Sequence, residues 1–214
     1  MLLSKHDVTE ICKTIAAEHE GWEYKNFRFV NKQLKHSVRE IDPSWALRLS
    51  AEPSVMVYNK SVNEVARECF REEAFYFKYW TARMLILSPT AKNAVTVYQK
   101  LVYSLPEAEV YIRDFFQRGL ELINRYFYSE DEQAFLGGYP IVGTFPEPGT
   151  DGGYEDIGNC IAQAVLLNFD YVERFIADDF PTERPIYERF RIRTREWLPV
   201  WRERAEKTGS ILKT

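Results

Sequence analysis

Apolar positions fall with two different periods along the first ninety residues, and each change of period marks a change of element. Val8, Ile11, Cys12, Ile15 and Ala16 sit at i, i+3, i+4, i+7 and i+8, one face of an α-helix. Ser4 and Asp7 supply a cap at its start, and Gly21 closes it. From Trp22 the period drops to two. Trp22–Val30 reads as a strand whose phase slips near Lys25-Asn26, as at a bulge. Asn31-Lys32 reads as a turn, Leu34–Ile41 as a weaker strand and Asp42-Pro43-Ser44 as a second turn. Trp45, Leu47 and Leu49 alternate with Ala46, Arg48 and Ser50; Ala51-Glu52-Pro53 turns the chain into a fourth strand, Ser54–Tyr58. Short strands on short turns predict an antiparallel meander. The helical period returns with Val62, Val65, Ala66, Cys69 and Phe70 behind a Ser61/Glu64 capping box, and Phe75–Leu87 reads as one or two buried strands.

Beyond Pro89 every periodic segment is helical. Ala94, Val97, Tyr98, Leu101 and Val102 make one stripe. Ala108, Ile112, Phe115, Phe116, Gly119, Leu122, Ile123 and Tyr126 make a longer one, behind a Ser104/Glu107 capping box with Pro106 in its first turn. Ser129 and Glu132 start a short helix that Gly137 stops. Ile157, Ile161, Ala164 and Val165 mark a buried helix, and Asp170 and Glu173 restart it around Phe175. A last helix from about Glu183 carries Tyr187, Phe190, Trp197 and Trp201, with Pro199 placed to kink or split it. Strands first and helices after predict an α+β fold: an N-terminal antiparallel meander with two packing helices, then an all-helical half. The corresponding subdomains are 1–88 and 89–214, joined near Pro89 in one compact unit.

The one long aperiodic stretch is the segment 137–153. Seven of the ten glycines lie between Gly137 and Gly158, with Pro140, Pro146 and Pro148 among them. A loop of this length inside a domain is where function concentrates. Asp151, Glu155 and Asp156 beside the Gly152-Gly153 turn have the chemistry to hold a divalent cation or to act as an acid/base pair. The same acids in a first helical turn also do no more than complement the helix dipole. Tyr139, Tyr154 and Asn159 complete the candidate binding set. Asn159 and Gln163, four residues apart, share a face aimed either into a cleft or at solvent. The glycines fit neither phosphate-loop nor dinucleotide spacing. His6, His19 and His36 lack metal-ligand spacing, so no metal or cofactor is implied. Phe75–Trp80 reads as core ahead of a stacking platform.

Charge changes this picture. The net charge is −4, yet between Ser129 and Asp179 eleven acids face one base, Arg174. From Arg184 to Arg204 seven arginines face three glutamates. Arginines 189, 191, 193 and 195 spread around a helix and, with Glu188 and Glu196, read as a salt-linked surface. The acidic balance disfavours nucleic acid and suits a basic protein or a cation. Three cysteines, Cys12, Cys69 and Cys160, each lie in an apolar pattern and read as buried free thiols of a reducing compartment. The first ten residues lack a signal-peptide pattern and no apolar run reaches membrane length, so a cytoplasmic protein with no membrane partner is expected.

The layout of a capped helix, WEYKNFRFVNKQLKHSV as a hairpin, WALRLS and SVMVY as strands, and SVNEVARECF as a helix resembles small bacterial α+β families, some of them immunity proteins of polymorphic or contact-dependent toxins. The resemblance covers residues 1–88. It implies no shared catalytic residues, so none transfer. The acidic stretch from Ser129 to Asp179 and the lack of a catalytic signature then make a non-enzymatic, immunity-type inhibitor of a basic toxin the leading expectation. The competing expectation is a metal-assisted hydrolase built on Asp151, Glu155 and Asp156.

Overall fold

The computed structural model describes residues 5–42, 54–70, 83–86, 104–127, 131–137, 153–180 and 188–213. Its elements run α1 (Lys5–Ala17), β1 (Trp22–Lys25), β2 (Arg28–Asn31), β3 (Ser37–Asp42), β4 (Ser54–Asn59), α2 (Lys60–Cys69), β5 (Arg83–Ile86), α3 (Leu105–Phe127), α4 (Glu132–Gly137), α5 (Gly153–Val165), α6 (Phe169–Ala177) and α7 (Glu188–Thr208). The class is α+β: an antiparallel sheet with helices, followed by helices alone. The strand expected over Trp45–Ser50, the helix expected over Ala94–Val102 and the segment 138–152 lie outside the described residues. The chain forms two compact units: residues 1–57 with 83–128, and residues 58–82 with 129–214.

The first unit is built on a sheet in the order β1-β2-β3-β4-β5. Lys25 pairs with Arg28 and Tyr24 with Phe29, so Trp22–Val30 is a hairpin and not one bulged strand. The phase slip read from the sequence is its two-residue loop, Asn26-Phe27, where both φ angles are positive, 51° and 63°. That geometry matches the right-handed twist of the flanking strands. The turn expected at Asn31-Lys32 also moves. Asn31 is still in β2, opposite Arg39, and the chain turns over residues 32–36 before β3 starts at Ser37. Every residue from Ser37 to Ile41 is buried, as suits a strand with neighbours on both sides.

Two helices pack in this unit. α1 lies on β1, with Cys12, Ile15 and Ala16 fully inside, and its exit turn passes through Gly21 at φ +76°. A Cβ there would run into the Gln33 side chain. α3 packs on α1 and β3. Its start is the reciprocal capping box the sequence predicts: Ser104 N–H donates to Glu107 Oε2 at 3.2 Å, and Glu107 N–H donates to Ser104 Oγ at 3.4 Å. Its core residues Ala108, Ile112, Phe115, Phe116 and Ile123 are all buried. The Phe116 ring meets Phe29 at 4.5 Å, His19 at 4.8 Å and Trp22 at 5.2 Å between centroids. Gly119 brings α3 down onto β3, since a Cβ there would stand 2.7 Å from Ile41 Cδ1.

The second unit is helical. α2 buries Val62, Val65, Ala66, Cys69 and Phe70 as predicted, but its cap is Asn59, whose Oδ1 accepts Val62 N–H at 3.1 Å. Ser61 is buried inside the helix and Glu64 is exposed, so no Ser61/Glu64 box forms. The offset has a physical cause: the last strand residue feeds directly into the helix and its amide does the capping. α4 is capped by Asp131, which accepts Ala134 N–H at 2.7 Å. α6 is capped by Asn168 ahead of Asp170 and ends on Asp178 in the left-handed region. α7 is one helix through Pro199. Buried Phe190, Thr194, Leu198 and Trp201 on one face hold both sides of the proline in register, so the missing N–H does not split it.

Candidate functional site

The candidate site begins where α5 does. From Ile157 to Ala162 every residue of α5 is buried, because α2, α4 and α6 all pack against it. It is the central rod of the second unit, buried on all sides over that stretch. Gly137, the last residue of α4, lies within van der Waals reach of Leu166 just past the far end of α5.

Of the sequence-predicted residues, Asn159 is the one whose side chain the structure describes. It is 2% exposed, so its solvent-facing reading is overturned: six consecutive buried positions leave α5 no wet face there. Gln163 is spent on the fold, its Oε1 accepting Asn168 Nδ2 at 2.9 Å and so bracing the cap of α6. Tyr154, Glu155 and Asp156 occupy the first turn of α5, and their side chains lie outside the described residues. Tyr139 and Asp151 lie outside as well. The structure brings no described carboxylates together around this point. Among the described residues no group of three or more His, Cys, Asp or Glu is placed to hold a metal ion, and no helix is long and apolar enough to cross a membrane.

The acidic and basic runs meet one another. Arg202 on α7 holds Glu173 on α6 at 2.7 Å, and Arg191 holds Asp178 at 3.6 Å while donating to the Ile176 carbonyl at 3.0 Å. Arg174 takes Asp179 at 3.4 Å. Arg204 grips Glu68 on α2 through two bonds of 2.7 Å, and Arg193 donates to the Cys69 carbonyl at 2.9 Å. The salt-linked surface expected at Glu188 and Glu196 is present, with Arg191 and Arg193 at 2.8 and 2.9 Å. Sequence reasoning saw both runs and missed that one neutralises part of the other. The signal was there in the sign change between Asp179 and Arg184.

All three cysteines are free and buried. Burial pushes the Cys12 thiol up to about 12 and those of Cys69 and Cys160 well above the ordinary thiol range. A thiol held protonated is a poor nucleophile, so these are core atoms. Asn59 was also missed as a binding element of the fold: buried at 1%, it caps α2 and donates from Nδ2 to Glu132 Oε2 at 3.2 Å. No family model matches this chain, and neither a curated protein nor a solved structure matches it.

Proposed function

We propose that this is a bacterial, cytoplasmic, non-enzymatic binding protein of the immunity type, which engages a basic protein partner such as a toxin through an acidic surface. The observation that supports this reading is the charge of the stretch from Ser129 to Asp179, eleven acids against one base. Glu173, Asp178 and Asp179 are matched to arginines, and Asp131 and Glu132 bond to Ala134 N–H and Asn59. The other six acids are Glu130, Glu147, Asp151, Glu155, Asp156 and Asp170, and the four from Glu147 to Asp156 crowd into the end of the Gly/Pro-rich segment and the start of α5. Carboxylates in excess near a rigid base speed association with a cationic partner and make it salt-dependent. Tyr139 and Tyr154 add aromatic contact area beside them.

Affinity capture from the native host at low salt, with sequencing of the genes alongside, tests this. One basic protein should be held, released by salt, and lost when Glu147, Asp151, Glu155 and Asp156 become amides. No partner at low salt and no neighbouring toxin gene would overturn it. Thermal shift with Mg²⁺, Mn²⁺, Ca²⁺ or Zn²⁺ separates it from the metal-assisted hydrolase, because a bound ion raises the melting temperature of that protein alone.

A further inference from the structure

Among the described residues β1 is an outer strand of the sheet, and its side chains alternate: Glu23 and Lys25 exposed, Trp22 and Tyr24 half-buried. A two-residue hairpin closes on a hydrogen-bonded pair, here Lys25 with Arg28. Lys25 and Glu23 therefore turn their backbone groups toward β2, and Tyr24 turns its N–H and C=O outward. The outward N–H of Trp22 is already given to the His19 carbonyl at 3.2 Å. Among the described residues the open part of this edge is thus centred on Tyr24, with an acid on one side and a base on the other.

We propose that β1 pairs antiparallel with β1 of a second copy of the chain, about a two-fold axis at Tyr24. The register follows from the charges. With Tyr24 opposite Tyr24, the two residues exchange both backbone hydrogen bonds, and each Glu23 stands opposite the other copy's Lys25. An antiparallel slip of two residues in either direction puts Glu23 on Glu23 or Lys25 on Lys25. A parallel in-register pairing does both at once. Charged residues ordinarily blunt a sheet edge; this spacing of opposite charges rejects the neighbouring antiparallel registers and the in-register parallel one. Glu23 holds Lys32 at 2.9 Å through Oε1, leaving Oε2 for the incoming Lys25. Beyond the paired residues lies Phe27, 50% exposed at the hairpin tip, next to where the second copy's strand begins at Trp22. A two-fold contact of this kind is self-complementary by construction. Four residues a side make it a weak dimer, formed at high concentration or with help from a common partner.

Sedimentation equilibrium of the full chain from micromolar to millimolar concentration, at low salt, is the test. Wild type should show a monomer–dimer equilibrium that weakens as salt rises. Lys25→Glu and Glu23→Lys, each alone, place like charges opposite one another and should weaken self-association about tenfold. Mixing the two variants restores opposite charges on both sides of the axis, so the mixture should associate more tightly than either variant by itself. That rescue is something loss of the internal Glu23–Lys32 pair cannot imitate. A wild type that stays monomeric at millimolar concentration, or a mixture no more associated than its components, overturns the proposal.

Discussion

The two units of this chain use charge in opposite ways. In the sheet unit, ion pairs sit between neighbours in one hairpin or sheet, as Arg28 with Glu40 and Asp42, or on the exposed rim, as Arg113 with Glu18 and Glu109. Its cohesion comes from rings, Phe116 against Phe29, Trp22 and His19. In the helical unit, the arginines of α7 reach across to α2 and α6 and end on the backbone carbonyls of Cys69 and Ile176 as well as on the carboxylates of Glu68, Glu173 and Asp178. A sheet obtains its cross-strand order from its backbone ladder. Packed helices exchange no backbone hydrogen bonds, and long side chains that donate to helix ends supply that order.

The sharpest way to separate the units is alkali. Cys69 and Cys160 belong to the helical unit and Cys12 to the sheet unit, and all three thiols are raised by burial. Above the ordinary thiol range the unfolded chain has lost these protons while the folded chain keeps them, so stability falls as pH rises. Each thiol costs about 1.4 kcal/mol per pH unit in that window. From about pH 9 to 10 the helical unit should lose roughly twice as much per pH unit as the sheet unit, seen as earlier loss of amide protection in α2 and α5; above that Tyr24, whose phenol burial also raises, adds to the loss of the sheet unit. Equal loss would break the comparison. Trp201→Ala comes next, because it empties a fully buried site on α7; about 3–5 kcal/mol should be lost in chemical denaturation. Gly119→Ala should cost the sheet unit about 1–3 kcal/mol by forcing Ile41 off α3. The smallest effect has the opposite sign. Phe27→Gly relieves a left-handed φ that a bulky residue tolerates poorly, and should raise stability by about 1 kcal/mol.

What was legible in the sequence was periodic. The stripes of α1, α2 and α3 and the Ser104/Glu107 box are local signals, and each appears where its spacing put it. The misplaced features depend on contacts the local pattern does not carry. A phase slip at Lys25-Asn26 is the same string whether it makes a bulge or a two-residue loop, and Phe27 lacks the glycine that would have announced the loop. Asn59 outcompetes Ser61 for the start of α2 because β4 delivers it there. The candidate site was legible only as composition. Asn159 looked amphipathic beside Gln163, and became core because three helices close on α5.

α2 belongs with segments made much later. Its apolar face, Val62, Val65, Ala66 and Cys69, is completed by α5, which begins at Gly153, 84 residues after α2 ends at Cys69. At about 5–20 residues per second of synthesis, that is on the order of ten seconds. During that time the nascent chain carries an amphipathic helix that still lacks α5, the described helix that covers it. The sheet unit, by contrast, can close as soon as Phe127 has emerged. For some seconds a ribosome making this protein therefore holds a half-finished molecule whose stickiest surface faces outward, which is the surface a chaperone would be expected to occupy.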